Sequence, residues 1–170
     1  MLNRRAFLGQ SAGVAIIAGA VSAIGTEAVA APLKTVTASA TPTLLKMARD
    51  LYPHDRLPNG FYETALATID AKVAAEPGSA KLLSDGVANL DKIANGKFGK
   101  PYLDIVAEAD RVAVLKAIEG TPFFTRMRGE MITALYNQEE LWAKLGYEGS
   151  SAEHGGYIHR GFNDIDWLPA

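Results

Sequence analysis

The chain has 170 residues, 48% apolar and 21% charged, with a formal net charge of −2. That length holds one domain, and nothing in it forms a basic stripe with interleaved aromatics for nucleic acid. Cysteine is absent, which excludes a thiolate-ligated iron–sulfur cluster, a covalently attached c-type haem and any disulfide.

The first element is a leader. Asn3-Arg4-Arg5-Ala6-Phe7-Leu8-Gly9 precedes an uncharged run rich in Ala, Gly, Val and Ile, which ends in Ala28-Val29-Ala30. Two adjacent arginines, the Phe7-Leu8 step, a weakly apolar core and an A-x-A site are the grammar of a twin-arginine export signal cleaved after Ala30. The reading predicts passage through the twin-arginine translocase, and hence periplasmic residence for a protein already folded when it crosses. A retained anchor is the competing reading. The uncharged stretch from Gln10 to Thr26 is about seventeen residues, short of the roughly 20 that span a bilayer. No other run is long and apolar, so membrane association is expected only through partners.

Residues 31–42 are small and polar and read as a flexible spacer. The helical period then begins, and residues 43–146 read as the folded domain. Leu44, Met47, Ala48 and Leu51 share one face of a first helix that must end before Pro53. Asn59 is placed to cap a second, with Tyr62, Leu66, Ile69 and Val73 inward and Glu76-Pro77-Gly78 as its stop. Ser79 opens a third, with Leu83, Val87, Leu90 and Ile93 inward and Asn95-Gly96 at its end. Pro101 starts a fourth segment striped by Val112, Leu115 and Ile118. At Gly120-Thr121-Pro122, Gly120 suits a left-handed helix end, Thr121 a cap and Pro122 a first turn. Phe124, Met127, Met131 and Leu135 line the fifth helix, and Gln138–Lys144 makes a short sixth closed by Gly146. No stretch alternates like a strand. The expected fold is all-α, an irregular bundle of five to six helices.

The character changes in residues 147–170, a C-terminal extension that is glycine-rich and carries Tyr147, Tyr157, Phe162 and Trp167. Disordered tails are poor in aromatics, so this segment is expected to pack on the bundle, on a partner, or on both. Tyr157, Arg160, Phe162, Asp164, Asp166 and Trp167 are the candidate interface residues.

Chemistry-bearing constellations are sparse. His54 lies in a proline-flanked turn, and His154 and His159 lie in the extension. Folded together they offer a low-specificity zinc or iron site, and with it the rival reading of a stand-alone periplasmic metal-binding protein or enzyme. Glu139 and Glu140 are helix neighbours pointing about 100° apart, so they cannot act as a pair. Arg126 and Arg128 read as a solvated face or as partners for the extension's aspartates. No G-x-G-x-x-G, phosphate loop, H-E-x-x-H or G-x-S-x-G motif occurs. A signal for folded export above a chain with no cofactor motif implies that the cofactor belongs to a partner.

Several segments taken together resemble a known family. They are Leu51-Tyr52-Pro53-His54, Thr121-Pro122-Phe123-Phe124, Leu135-Tyr136, Trp142 and Leu145-Gly146-Tyr147, followed by Gly155-Gly156-Tyr157 and Arg160–Trp167. The chain resembles the small (gamma, or subunit 3) component of gluconate 2-dehydrogenase-type oxidoreductases, most strongly at its C-terminal end. The resemblance implies a non-catalytic subunit that carries the export signal and supports maturation of a larger partner. That partner would be an FAD-bearing catalytic subunit of the glucose–methanol–choline type, with a cytochrome c as a further candidate member.

Overall fold

The computed structural model of the chain describes residues 33–35 and 37–162. Six helices follow in order: α1 Ala40–Leu51, α2 Asn59–Ala74, α3 Ser79–Phe98, α4 Glu108–Ile118, α5 Pro122–Tyr136 and α6 Glu139–Leu145. Short 3-10 turns sit at Tyr102–Asp104 and Ser151–His154, and no strand occurs among the described residues. The fold is the expected all-α bundle. Arg4, Arg5, Phe7, Leu8, Ala28 and Ala30, expected to form the export signal and its cleavage site, and Asp164, Asp166 and Trp167, expected at an interface, lie outside the described residues.

The central pair is α2 and α5, which α1 and α3 pack against, with α4 on α3. The stripes expected from the sequence supply the core: Leu44 and Met47, Tyr62 and Ile69, Leu83 and Leu90, Leu115 and Ile118, and Met127, Met131 and Leu135 are all buried. Each such side chain contributes about 1.5–3 kcal/mol on leaving water. The packing adds Tyr102, Ile105 and Leu141, which lie on short or irregular segments where no period marks them, and Val114 and Phe123 on α4 and α5.

Local chemistry corrects several boundaries. Asn59 does not cap α2, whose N-cap is Pro58; its side-chain oxygen instead accepts from Arg49 at 3.1 Å. Helix α3 runs through Asn95-Gly96, because Asn95 bonds back to the Asp91 carbonyl at 2.8 Å within the helix. It ends only at Gly99, where φ is +69° and a side chain would be strained. Pro101 opens the 3-10 turn rather than α4. At the α4–α5 junction Thr121 accepts from the Phe124 N–H at 3.3 Å and Pro122 sits in the first turn, as expected. Gly120, however, is not left-handed.

The expected spacer is also more ordered than its composition suggests. Residues 40–42 form the first turn of α1. The Lys34 and Thr35 N–H groups both donate to the Asp70 carboxylate of α2, at 2.8 and 2.9 Å. The folded unit therefore begins before residue 43.

Candidate functional site

Two parts of the surface carry functional chemistry, and the first is a charged cleft of about 230 Å³ beside α1. Asp50 accepts from the Tyr102 hydroxyl at 2.6 Å and from Arg111 Nε at 2.8 Å. Arg111 also donates to the Val106 carbonyl at 2.6 Å. Burial and the hydrogen bond to Asp50 push the Tyr102 hydroxyl far up, so it stays a protonated donor at any working pH. The hydrogen bond to Asp50 raises Arg111 further. Lys46 donates to the Leu103 and Ile105 carbonyls, and burial, reinforced by Arg111, pulls its pKa down. Arg49 donates to the Leu57 carbonyl at 3.0 Å and lies over the Tyr62 ring at 4.7 Å. These charges tie α1, the 102–104 turn and the start of α4 together, and they are spent on one another rather than aimed at a ligand.

His54 stands at the edge of this cleft. Its Nε2 is 2.8 Å from the Tyr136 hydroxyl and its ring meets Tyr136 edge-on at 5.8 Å, while Tyr52 takes another edge of Tyr136 at 6.0 Å. The turn between α1 and α2 is thereby docked on the end of α5. His154 Nε2 is 3.2 Å from the Glu148 carbonyl, and His159 is exposed. The fold does not gather the three histidines: among the described residues no group of three or more His, Asp or Glu is placed to hold a metal ion. Arg126 is likewise drawn inward, pairing with Glu76 at 2.8 Å and Glu130 at 3.1 Å rather than facing solvent. Glu139 and Glu140 are exposed in the first turn of α6, where their charge suits the helix dipole.

The second part is the segment after α6. Trp142 donates from its indole to the Tyr136 carbonyl at 2.7 Å, seating α6 on the end of α5. Tyr147 meets the Trp142 ring edge-on at 5.2 Å. A Cβ on Gly149 would lie 3.7 Å from that ring, so the chain passes close over the tryptophan. After the 151–154 turn, Gly156 N–H donates back to the Ser151 carbonyl at 2.7 Å and reverses the chain. Arg160 then returns to pair with Glu148 at 3.3 Å and lies 5.0 Å over the Tyr157 ring. The first half of the extension is thus folded onto α6 and onto itself.

Its apolar side chains are not buried by this. Eight large hydrophobics are exposed among the described residues, and five of them, Leu145, Tyr147, Tyr157, Ile158 and Phe162, fall between positions 145 and 162. Ile158 and Phe162 are 77% and 76% exposed, so both leave most of their apolar area in water. Side chains of this kind concentrated in one segment mark a contact surface. Of the interface residues read from the sequence, Tyr157 and Phe162 point outward, whereas Arg160 is half-buried and works as a clasp. Ile158 and Leu145 were missed; an apolar residue in a glycine-rich, non-helical segment was the available signal for Ile158. No helix among the described residues is long and apolar enough to cross a membrane.

The described fold is thus a small helical bundle whose cleft charges pair with one another and whose segment after α6 leaves apolar side chains exposed. The chain belongs to the gluconate 2-dehydrogenase subunit 3 family, whose model matches residues 38–149. It is accordingly a small subunit of a dehydrogenase complex, with a catalytic subunit as its partner. The match runs from just before α1 to Gly149 and takes in the 51–54, 121–124, 135–136, 142 and 145–147 segments. The 155–167 motif, read above as the strongest part of the resemblance, lies beyond it. No curated protein and no solved structure matches the chain.

Proposed function

We propose that this chain is the escort subunit of a periplasmic, flavin-dependent dehydrogenase of the glucose–methanol–choline type. Arg4, Arg5, Phe7 and Leu8 supply the twin-arginine signal, removed after Ala30, for a complex that folds before export. The subunit supports folding of the FAD-bearing catalytic partner, and a cytochrome c completes the electron path. Docking runs through the extension, with Tyr157, Ile158 and Phe162 as anchors and Asp164, Asp166 and Trp167 continuing the contact. The observation that carries this reading is the concentration of exposed apolar side chains after α6, on a member of a dehydrogenase-subunit family.

The test is co-expression of the tagged chain with its neighbouring reading frames, followed by an absorbance spectrum of the purified periplasmic material. Flavin near equal stoichiometry is expected, and it should be lost when Arg4 and Arg5 become lysines. Truncation after Gly149 should abolish co-purification of the flavoprotein. A colourless monomer from the full chain would refute the escort reading. A truncated chain that still brings the flavoprotein with it would refute the tail as the docking element.

A further inference from the structure

Asp70 is the one acidic side chain among the described residues that is buried, at 4% exposure. An unpaired carboxylate in that position would be costly, and burial accordingly acts to raise its pKa. The groups that satisfy it all come from the segment just ahead of α1. The Lys34 N–H donates at 2.8 Å, the Thr35 N–H at 2.9 Å, and the Thr35 hydroxyl makes a third bond to the same carboxylate. Next to them, the Leu33 N–H donates to the buried Thr41 hydroxyl at 3.5 Å, and the Leu33 side chain packs on the core. Residues 33–35 thus form a strap whose every described polar tie is to the folded bundle.

This coupling is conditional. The carboxylate sits on α2, and its acceptor geometry exists only once α2 is packed. An unfolded chain leaves residues 33–35 free, and a folded one holds them. Ala31 and Pro32 alone separate the strap from Ala30, so the expected cleavage point lies within about 10 Å of chain from Leu33. Peptidases act on segments free of such bonding.

We infer that Asp70 is a folding-dependent latch: it fixes the chain just behind the leader to α2 and slows removal of the leader from the folded protein. The inference rests on residues 1–30 being a cleaved leader. Its physical part is tested on the purified full-length chain with trypsin, which cuts after Lys34. Asp70→Asn should speed cleavage at Lys34 by about tenfold or more, as the open population rises with loss of bonds to a charged acceptor, while the melting curve stays cooperative. Its functional part is tested by pulse-chase of export. Processing after Ala30 should accelerate about threefold or more in Asp70→Asn. Thr35→Pro, which removes two of the three bonds without touching the bundle, should likewise accelerate processing after Ala30 if the Asn variant proves poorly folded. Equal processing of folded variants and wild type overturns the latch but leaves the leader reading intact. Absence of processing in wild type and variants alike overturns both. A wild-type chain retained as precursor beside processed variants supports the latch in its strongest form.

Discussion

Gly86 lies in α3 directly under the Phe123 ring, and replacing it with alanine offers a sharp test of the packing described above. An ideal Cβ there would stand 2.7 Å from Phe123 Cδ1 and closer still to Cγ and Cδ2, against 3.4 Å for ordinary contact. Rotating the ring about its own axis does not help, because Cγ lies on that axis. Phe123 is itself only 4% exposed, so it has no free space to enter. The helices α3 and α5 must therefore separate by about 1 Å, an overpacking strain of about 2–3 kcal/mol. Removing glycine from a helix interior returns about 1 kcal/mol. The net loss is about 1–2 kcal/mol, or a fall in Tm of about 4–8 °C for a domain of this size. Gly96 in the same helix has nothing within 4 Å of its virtual Cβ. Gly96→Ala should thus raise Tm by about 2–4 °C. Circular dichroism melts of the two variants give the signs directly. A Gly86→Ala protein as stable as Gly96→Ala would refute the close approach of α3 to Phe123.

Three further outcomes follow from the same geometry. Arg111→Met leaves Asp50 with a single strong donor in a nearly buried position, and should cost about 3 kcal/mol in urea unfolding, whereas Tyr102→Phe, which spares the ion pair, should cost about 1 kcal/mol. Burial raises the pKa of Asp70, but the Thr35 hydroxyl, the Lys34 and Thr35 N–H groups and the Lys34 charge together outweigh it and hold the folded pKa below its ordinary value of 3.8. A carboxylate shifted down stabilises the fold above its unfolded pKa and loses that contribution as the pH falls through its folded one. The stability difference between wild type and Asp70→Asn should therefore be full at neutral pH and shrink below about pH 4; a difference that grows on acidification would contradict the assignment. Ile158→Ser with Phe162→Ser should change the stability of the isolated subunit by no more than about 0.5 kcal/mol, since both side chains face water, while weakening capture of the catalytic subunit in a pull-down.

Periodicity determined the all-α class and the inward faces of α1, α2 and α5, because a helix that must bury one side repeats its apolar residues every three or four positions. Residue type marked the Thr121-Pro122 junction, a cap followed by a first-turn proline, and composition marked the extension, since aromatics in a glycine-rich segment have no helix to serve. The tertiary structure decided what local patterns do not encode. Asn59 looked like a cap until Arg49 reached it from another helix. Asn95-Gly96 looked like a stop, but α3 continues across it with its flank packed on α4 and α5. The partners of the histidines were not legible either: His54 meets the Tyr136 hydroxyl and His154 the Glu148 carbonyl. Arg160, read as an interface residue, pairs with Glu148 within the extension. Asp70 carried no signal at all in a run of ordinary helix residues, because its role depends on Lys34 and Thr35, some thirty-five positions away. Faces are set by neighbours in sequence, whereas the partner of a polar group is set by which distant segment packing brings to it.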